Sequence, residues 1–192
     1  MSAPPPTEGP TIRFATEEDV PTILSLIHEL AAYEHASDSV LATPSSLLST
    51  LSFPSNPAHG YAKTLLIYPP TSTSTTSPAT TTPTCAGMAL YFHNYSTWRA
   101  APGIYLEDLF IRPEYRGRGY GTALLRRLAR ETVQVGGKRL EWSVLKWNEP
   151  SIKFYEGLGA QMMSEWVGMR VDGKGLERMA RDGEGEEKRG TA

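Results

Sequence analysis

Three consecutive stretches constrain the fold of this chain most: GIYLEDLFI (103–111), RPEYRGRGYG (112–121) and TALLRRLARETVQV (122–135). The first is a mostly apolar run that reads as a strand. In the third, Leu124, Leu125, Leu128, Ala129 and Thr132 recur at helical spacing and mark one buried face. Between them, Gly117, Gly119 and Gly121 allow a sharp turn and a close approach to a ligand. A loop that leaves a strand and opens a helix points its backbone N–H groups at one spot, where an anion is stabilised. Arg116 and Arg118 add positive charge there.

Several ligands carry phosphate, and two familiar loops do not fit. A nucleotide-hydrolysing P-loop needs Lys-Ser/Thr after its last glycine, where this chain has Thr122 and Ala123. A dinucleotide fold spaces its glycines Gly-x-Gly-x-x-Gly near the start of the domain; here the spacing is Gly-x-Gly-x-Gly, past mid-chain. A plain glycine-rich turn with solvated arginines stays open on the glycines alone.

The rest of the chain supplies a setting. Ile12 and Phe14 alternate in a short strand, Thr16 caps a helix with an acidic first turn, and Ile23, Leu26, Ile27, Leu30 and Ala31 form its buried face. A second helix starts at Thr43 and Pro44. YAKTLLIY (61–68) and CAGMALYFH (85–93) read as strands, separated by a Thr/Ser/Pro-rich insertion (69–84) that cannot offset its ordering entropy by burial. After the helix at 122–135, RLEWSVLKW reads as a strand, Asn148 opens another helix, and a last strand is expected over Gln161 to Val171. The ends, 1–10 and 181–192, read as disordered tails around one domain, 11–180. The order is that of an α/β (α+β) fold, a mixed central sheet flanked by helices.

Composition removes whole classes of function. With a formal net charge of −2 and 21% charged residues, the molecule is no nucleic-acid-binding polycation, and any basic function is local. Cys85, the single cysteine, reads as a core residue and excludes an intramolecular disulfide. No apolar run nears the ~20 residues of a membrane span, and the N-terminus has no secretory pattern, so a cytoplasmic protein without membrane association is expected. The four histidines show no ligand spacing, and no metal is expected.

RGRGYG, together with YLEDLFIRPEYRGRGYG and WNEPSIKFYEGLGA (147–160), resembles the GNAT-superfamily N-acetyltransferases. Within them it is most similar to the diamine family, the spermidine/spermine and thialysine N-acetyltransferases. The resemblance implies the GNAT acyl-CoA N-acyltransferase fold, acetyl-CoA as donor and an amine as acceptor. Arg116, Gly117, Arg118, Gly119, Tyr120, Gly121 and Thr122 would then cradle the cofactor's pyrophosphate. The backbone of Leu109, Phe110 and Ile111 would bind the pantetheine and polarise the carbonyl, with Asn148 and Ser151 holding the pantetheine arm or phosphates. A homodimer is implied by analogy.

Acetyl transfer to an amine needs a neutral amine and a protonated leaving thiolate. Alkylammonium groups have pKa near ~10.4, so a base or proton path is required at neutral pH. By resemblance Glu107 is that base, directly or through water, and Tyr155 the general acid. Glu107 and Asp108 are neighbours on a strand and point to opposite faces unless a bulge intervenes. Tyr33, Glu34, Trp98, Asp108 and Trp147, with Glu107, are implied to bind the substrate, carboxylates and aromatic faces suiting a cationic chain.

Within the family this sequence departs from the polyamine pattern. YSTW (95–98) lacks the acidic residue expected two places before the tryptophan, and the glutamate-rich stretch near Trp166 is reduced. Fewer carboxylates favour a short amine or lysine-like amino acid over spermine. Three alternatives stay open: a protein lysine or N-terminal acetyltransferase, a non-catalytic acyl-CoA-binding module, and, more distantly, nucleic-acid binding through Arg112, Arg116, Arg118, Arg126, Arg127 and Arg130.

Overall fold

The computed structural model describes residues 9–70 and 84–187. The expected N-terminal tail and insertion therefore lie, apart from 9–10, 69–70 and 84, outside the described residues, as do 188–192. The chain separates into two compact units, Met1–Asn148 and Glu149–Ala192.

The first unit is built on a six-stranded mixed sheet, ordered β1 (Thr11–Phe14), β3 (Ala62–Tyr68), β4 (Gly87–Ser96), β5 (Ala101–Ile111) and β6 (Leu140–Trp142). The short β2 (Leu51–Ser52) lies parallel to the start of β3. β1, β3, β4 and β5 pair antiparallel, and β6 joins β5 in parallel. The mixed sheet and its flanking helices are those the sequence predicts. β6 is shorter than the predicted strand, since the ladder reaches only Trp142.

The helices form where capping and periodicity place them. The backbone N–H and hydroxyl of Thr16 donate to the Asp19 carboxylate at 2.8 and 3.0 Å, opening a 3-10 turn that runs into α1 (Val20–Tyr33). Arg13 donates to both oxygens of Asp19, and that guanidinium holds the carboxyl down at about 2. Thr43 and Ser46 cap α2 (Pro44–Thr50) reciprocally. Val20, Ile23 and Leu26 of α1 and Leu47 of α2 pack with Leu66, Met88, Leu90 and Phe110 in one buried cluster. Each fully buried aliphatic side chain contributes about 1.5–3 kcal/mol. Leu65, Ile67, Ala89 and Tyr91 alternate to the opposite face, where α3 (Tyr120–Gln134) buries Leu124, Leu125 and Leu128. One polar group is sealed into that layer: the Tyr91 hydroxyl donates to Glu131 Oε1 at 2.5 Å, with Lys63 Nζ at 3.9 Å. Burial, and then the Glu131 hydrogen bond, push the Tyr91 phenol well up.

In the second unit, α4 (Glu149–Glu156) follows the predicted helix and carries a Glu149–Lys153 pair at 3.6 Å. The predicted strand over Gln161 to Val171 is absent. Residues 161–172 are irregular, and Met162, Met163, Trp166, Val167 and Met169 are exposed. A strand exists only through ladder partners, and among the described residues no strand pairs with this segment. Beyond it α5 (Gly173–Glu187) is helical past residue 181, where a disordered tail is predicted. Leu176 to Arg181 contains strong helix formers, enough to carry the helix into the charged run.

Candidate active site

β5 gives the site its backbone. Its pairing with β4 runs regularly from Ile111↔Gly87 to Asp108↔Leu90, then jumps to Leu106↔Tyr91. Glu107 is the extra residue of a β-bulge. A bulge lets neighbouring side chains depart from strict alternation, and the charges of Glu107 and Glu34 both act on Asp108. Burial, reinforced by these two carboxylates, raises Asp108 from 3.8 to about 6. Glu34, at the C-terminal cap of α1, is itself raised by burial. Glu107 is exposed.

The other edge of β5 opens at the same level. Its parallel ladder with β6 ends at Leu106↔Trp142, so no β6 residue pairs with Glu107 to Ile111. Phe110 buries its side chain in the core beneath α1, which leaves its backbone as the part that can meet a ligand. Arg112, at the end of β5, clamps this region to α1. Its guanidinium donates to both oxygens of Glu29 at 2.7–3.1 Å and to the Cys85 carbonyl at 3.0 Å. Neither Glu29 nor Arg112 as a clamp is legible in sequence, because the two are 83 residues apart.

The glycine loop begins with a 3-10 turn, Pro113–Tyr115, closed by the Arg116 N–H on the Pro113 carbonyl. Gly117 and Gly119 stand at φ +73° and +77°, the left-handed region. An added Cβ on either would meet nothing within 4 Å, so these glycines are required by backbone conformation and not by crowding. Gly119 caps α3, whose Ala123 N–H bonds the Gly119 carbonyl. The N–H groups of Tyr120, Gly121 and Thr122 belong to the first helical turn, which has no intrahelical acceptor. Tyr120 is buried against Tyr115, over which Arg118 lies at 5.5 Å. Arg116 donates Nε–H to the Ile111 carbonyl at 2.9 Å and lies 5.0 Å over the Tyr33 ring.

Tyr33 joins the loop to the predicted acceptor residues. Its hydroxyl donates to Asn148 Oδ1 at 3.1 Å, and its ring meets Trp147 at 5.9 Å. Asn148 is buried. The structure thus brings Tyr33, Trp147, Asn148 and Arg116 together, and places Asp108 within the field of both Glu34 and Glu107. Trp98 stands apart in the chain fold. It is 89% exposed on the β4–β5 turn, and the six residue steps from Ala101 to Glu107 put it about 20 Å along the ribbon from the bulge. Ser151 and Tyr155 lie on α4 in the second unit, both half-buried, and the Tyr155 ring tilts against Phe154 at 5.2 Å.

A strand whose edge opens beside a glycine loop and helix start is a cradle for a long phosphate-bearing ligand. The acetyltransferase (GNAT) family pattern matches residues 48–160 of this chain, spanning both features. This chain belongs to the GNAT family.

It is 36% identical to an L-ornithine N5-acetyltransferase of Arabidopsis thaliana, over 86% of each chain. It is 34% identical to a thialysine N-epsilon-acetyltransferase of Bos taurus, over 88% of this chain and 96% of that one. Among solved structures, an integron cassette protein of V. cholerae superposes with TM-score 0.68 at 22% identity, over 90% of this chain and 98% of that one. An aminoglycoside acetyltransferase from soil metagenomic DNA superposes at 0.64 and 14%, over 86% and 97%. Both likenesses are of fold.

The chain is an N-acetyltransferase acting on amines, with acetyl-CoA as acetyl donor. The residues fit that cofactor. The first turn of α3, Gly117, Gly119 and two arginines suit a pyrophosphate, and the unpaired β5 edge offers backbone groups to an extended amide-bearing arm. When bound, acetyl-CoA supplies an acyl thioester. Among the described residues, no cluster of His, Cys, Asp or Glu is arranged to hold a metal ion, and no helix is long and apolar enough to cross a membrane.

Proposed function

We propose that this enzyme acetylates the terminal amine of a small cationic acceptor, a lysine- or ornithine-like amino acid in preference to a polyamine. The observation that carries this reading is the carboxylate group Glu34, Glu107 and Asp108, gathered at the bulge where β5 opens. Three carboxylates attract one or two ammonium groups, and Tyr33 and Trp147 offer aromatic faces for the connecting methylenes. The ornithine and thialysine activities of the two relatives support the same class.

The amine must lose a proton before it attacks the thioester carbon. Glu107 takes that proton in the reading drawn from family resemblance. Burial of Asp108 favours a second reading, since a carboxyl near 6 is better matched to proton transfer at neutral pH than an ordinary one. Tyr155 as the acid that returns a proton to the leaving thiolate, Ser151 as a cofactor contact, a homodimer and a cytoplasmic location are further parts of the proposal, carried by resemblance. So are the single domain over 11–180 and Trp98 as a substrate contact.

The test is thiol release from acetyl-CoA with L-ornithine, L-lysine, thialysine, putrescine, spermidine and a lysine-bearing peptide. Catalytic efficiency should be highest for an amino acid. A peptide preferred over all small amines would overturn the acceptor class, and no turnover with any would remove the amine-acetylating reading.

A further inference from the structure

α1 ends in a Schellman motif. The Ala36 N–H bonds the Ala31 carbonyl at 2.8 Å and the His35 N–H bonds that of Ala32 at 3.2 Å. The residue between cap and exit is His35, held at φ +59°. Glycine is the residue that occupies this position without strain, and a side chain there costs stability. There the imidazole lies 5.8 Å from the Trp147 ring, the same ring that meets Tyr33. His35 thus follows Glu34 directly in the chain and meets the Trp147 ring that Tyr33 also meets.

The acceptor chemistry gives that imidazole a task. An amino-acid acceptor carries an α-carboxylate at the end remote from the amine that reacts. Glu34, Glu107 and Asp108 repel it. Arg116 gives one of its five N–H donors to the Ile111 carbonyl and lies in the glycine loop, over the Tyr33 ring. An imidazole N–H donates to a carboxylate, and in the protonated form pairs with it. A diamine of the same length has nothing for it to bind. We propose that His35 binds the α-carboxylate of the acceptor and so sets the preference for an amino acid over the corresponding diamine. This rests on the acceptor reading given above.

L-ornithine and putrescine differ by that carboxylate, which makes them the probes. Their dissociation constants are measured by calorimetry on the full chain saturated with CoA, alongside kcat/KM with acetyl-CoA. His35→Gly suits the backbone and should leave the thermal midpoint unchanged or raised. It should weaken L-ornithine binding about tenfold or more, the scale of one hydrogen bond to a charged group, and leave putrescine within about twofold. His35→Asn tolerates the left-handed backbone and keeps an N–H donor, so it should restore part of the difference. Lys146, next to Trp147, is the competing cation. Loss of L-ornithine selectivity in Lys146→Ala, with none in His35→Gly, overturns the assignment, as does an equal effect on both probes. Binding of neither probe by the unmodified chain instead overturns the acceptor reading itself.

Discussion

Asp108→Asn separates the cost of the site from its chemistry. The carboxyl titrates at 3.8 in the unfolded chain and at about 6 in the fold, raised by burial and by Glu107 and Glu34. The folded state therefore holds the proton more tightly than the unfolded one between those two values. Ionising the group costs folding free energy, and stability falls as pH rises through that window. At about 1.4 kcal/mol per pH unit, the full gap is about 3 kcal/mol above pH 6. Water and relaxation at a half-open site reduce this to ~1–2 kcal/mol. The asparagine has no such cost. Urea denaturation of both proteins without acceptor, at pH 4, 5, 7 and 8, reads the difference. The variant should gain ~1–2 kcal/mol on wild type at pH 7–8, and the gain should shrink to well under 1 kcal/mol at pH 4. Any fixed effect of the amide cancels across the pH series. A difference that stays flat from pH 4 to 8 would refute the burial argument, and one that grows toward acid would reverse its sign. The same variant should slow acetyl transfer measurably without abolishing it, an exchange of activity for stability common at sites built on strained charge.

Other expectations follow from the same geometry. Acetyl-CoA should raise the thermal midpoint, and Arg116→Ala with Arg118→Ala should cut that rise by at least half; an unchanged rise would remove the loop from cofactor binding. Glu107→Gln should slow turnover most below the acceptor amine's pKa, and if Asp108→Asn alone abolishes the rise of kcat/KM with pH, Asp108 is the base. Tyr155→Phe should lower kcat at least tenfold with cofactor affinity nearly intact, as measured by calorimetry with CoA. Tyr91→Phe leaves the buried Glu131 carboxylate without its 2.5 Å donor and should cost about 1–3 kcal/mol in chemical denaturation, with kcat unaffected.

Local signals were legible where a residue's neighbours in sequence decide its conformation. Thr43 caps the helix it predicts, Thr16 opens the acidic 3-10 turn ahead of α1 while Asp19 stands at the α1 N-cap, and the glycine loop stands between β5 and α3 with two left-handed glycines. The acidic pair on β5 was visible as residues, but whether Glu107 and Asp108 could cooperate turned on a bulge that depends on how β4 registers against it. The Glu29–Arg112 clamp and the Tyr33–Asn148 bond were invisible for the same reason: they join residues 83 and 115 apart, with no local pattern to announce them. The segment 161–172 shows the converse. Its apolar residues suggest a strand, yet a strand is a relation between two segments, and no ladder forms on it. Nothing local in the sequence singles out His35 among the four histidines; its left-handed backbone shows only in the fold.

The short β6 has a colloidal side. Where the ladder stops at Leu106, the chain leaves a stretch of sheet edge, Glu107 to Ile111, to which a strand from another molecule could add. Charged side chains on an edge are a common way of discouraging such additions. Glu107 and Asp108 stand at the start of that edge, so the carboxylates proposed to receive the acceptor would also discourage foreign backbone there. Storage with CoA, which would fill it, should then matter most for variants that neutralise both acids, where the guard is gone and only the occupant keeps the edge closed.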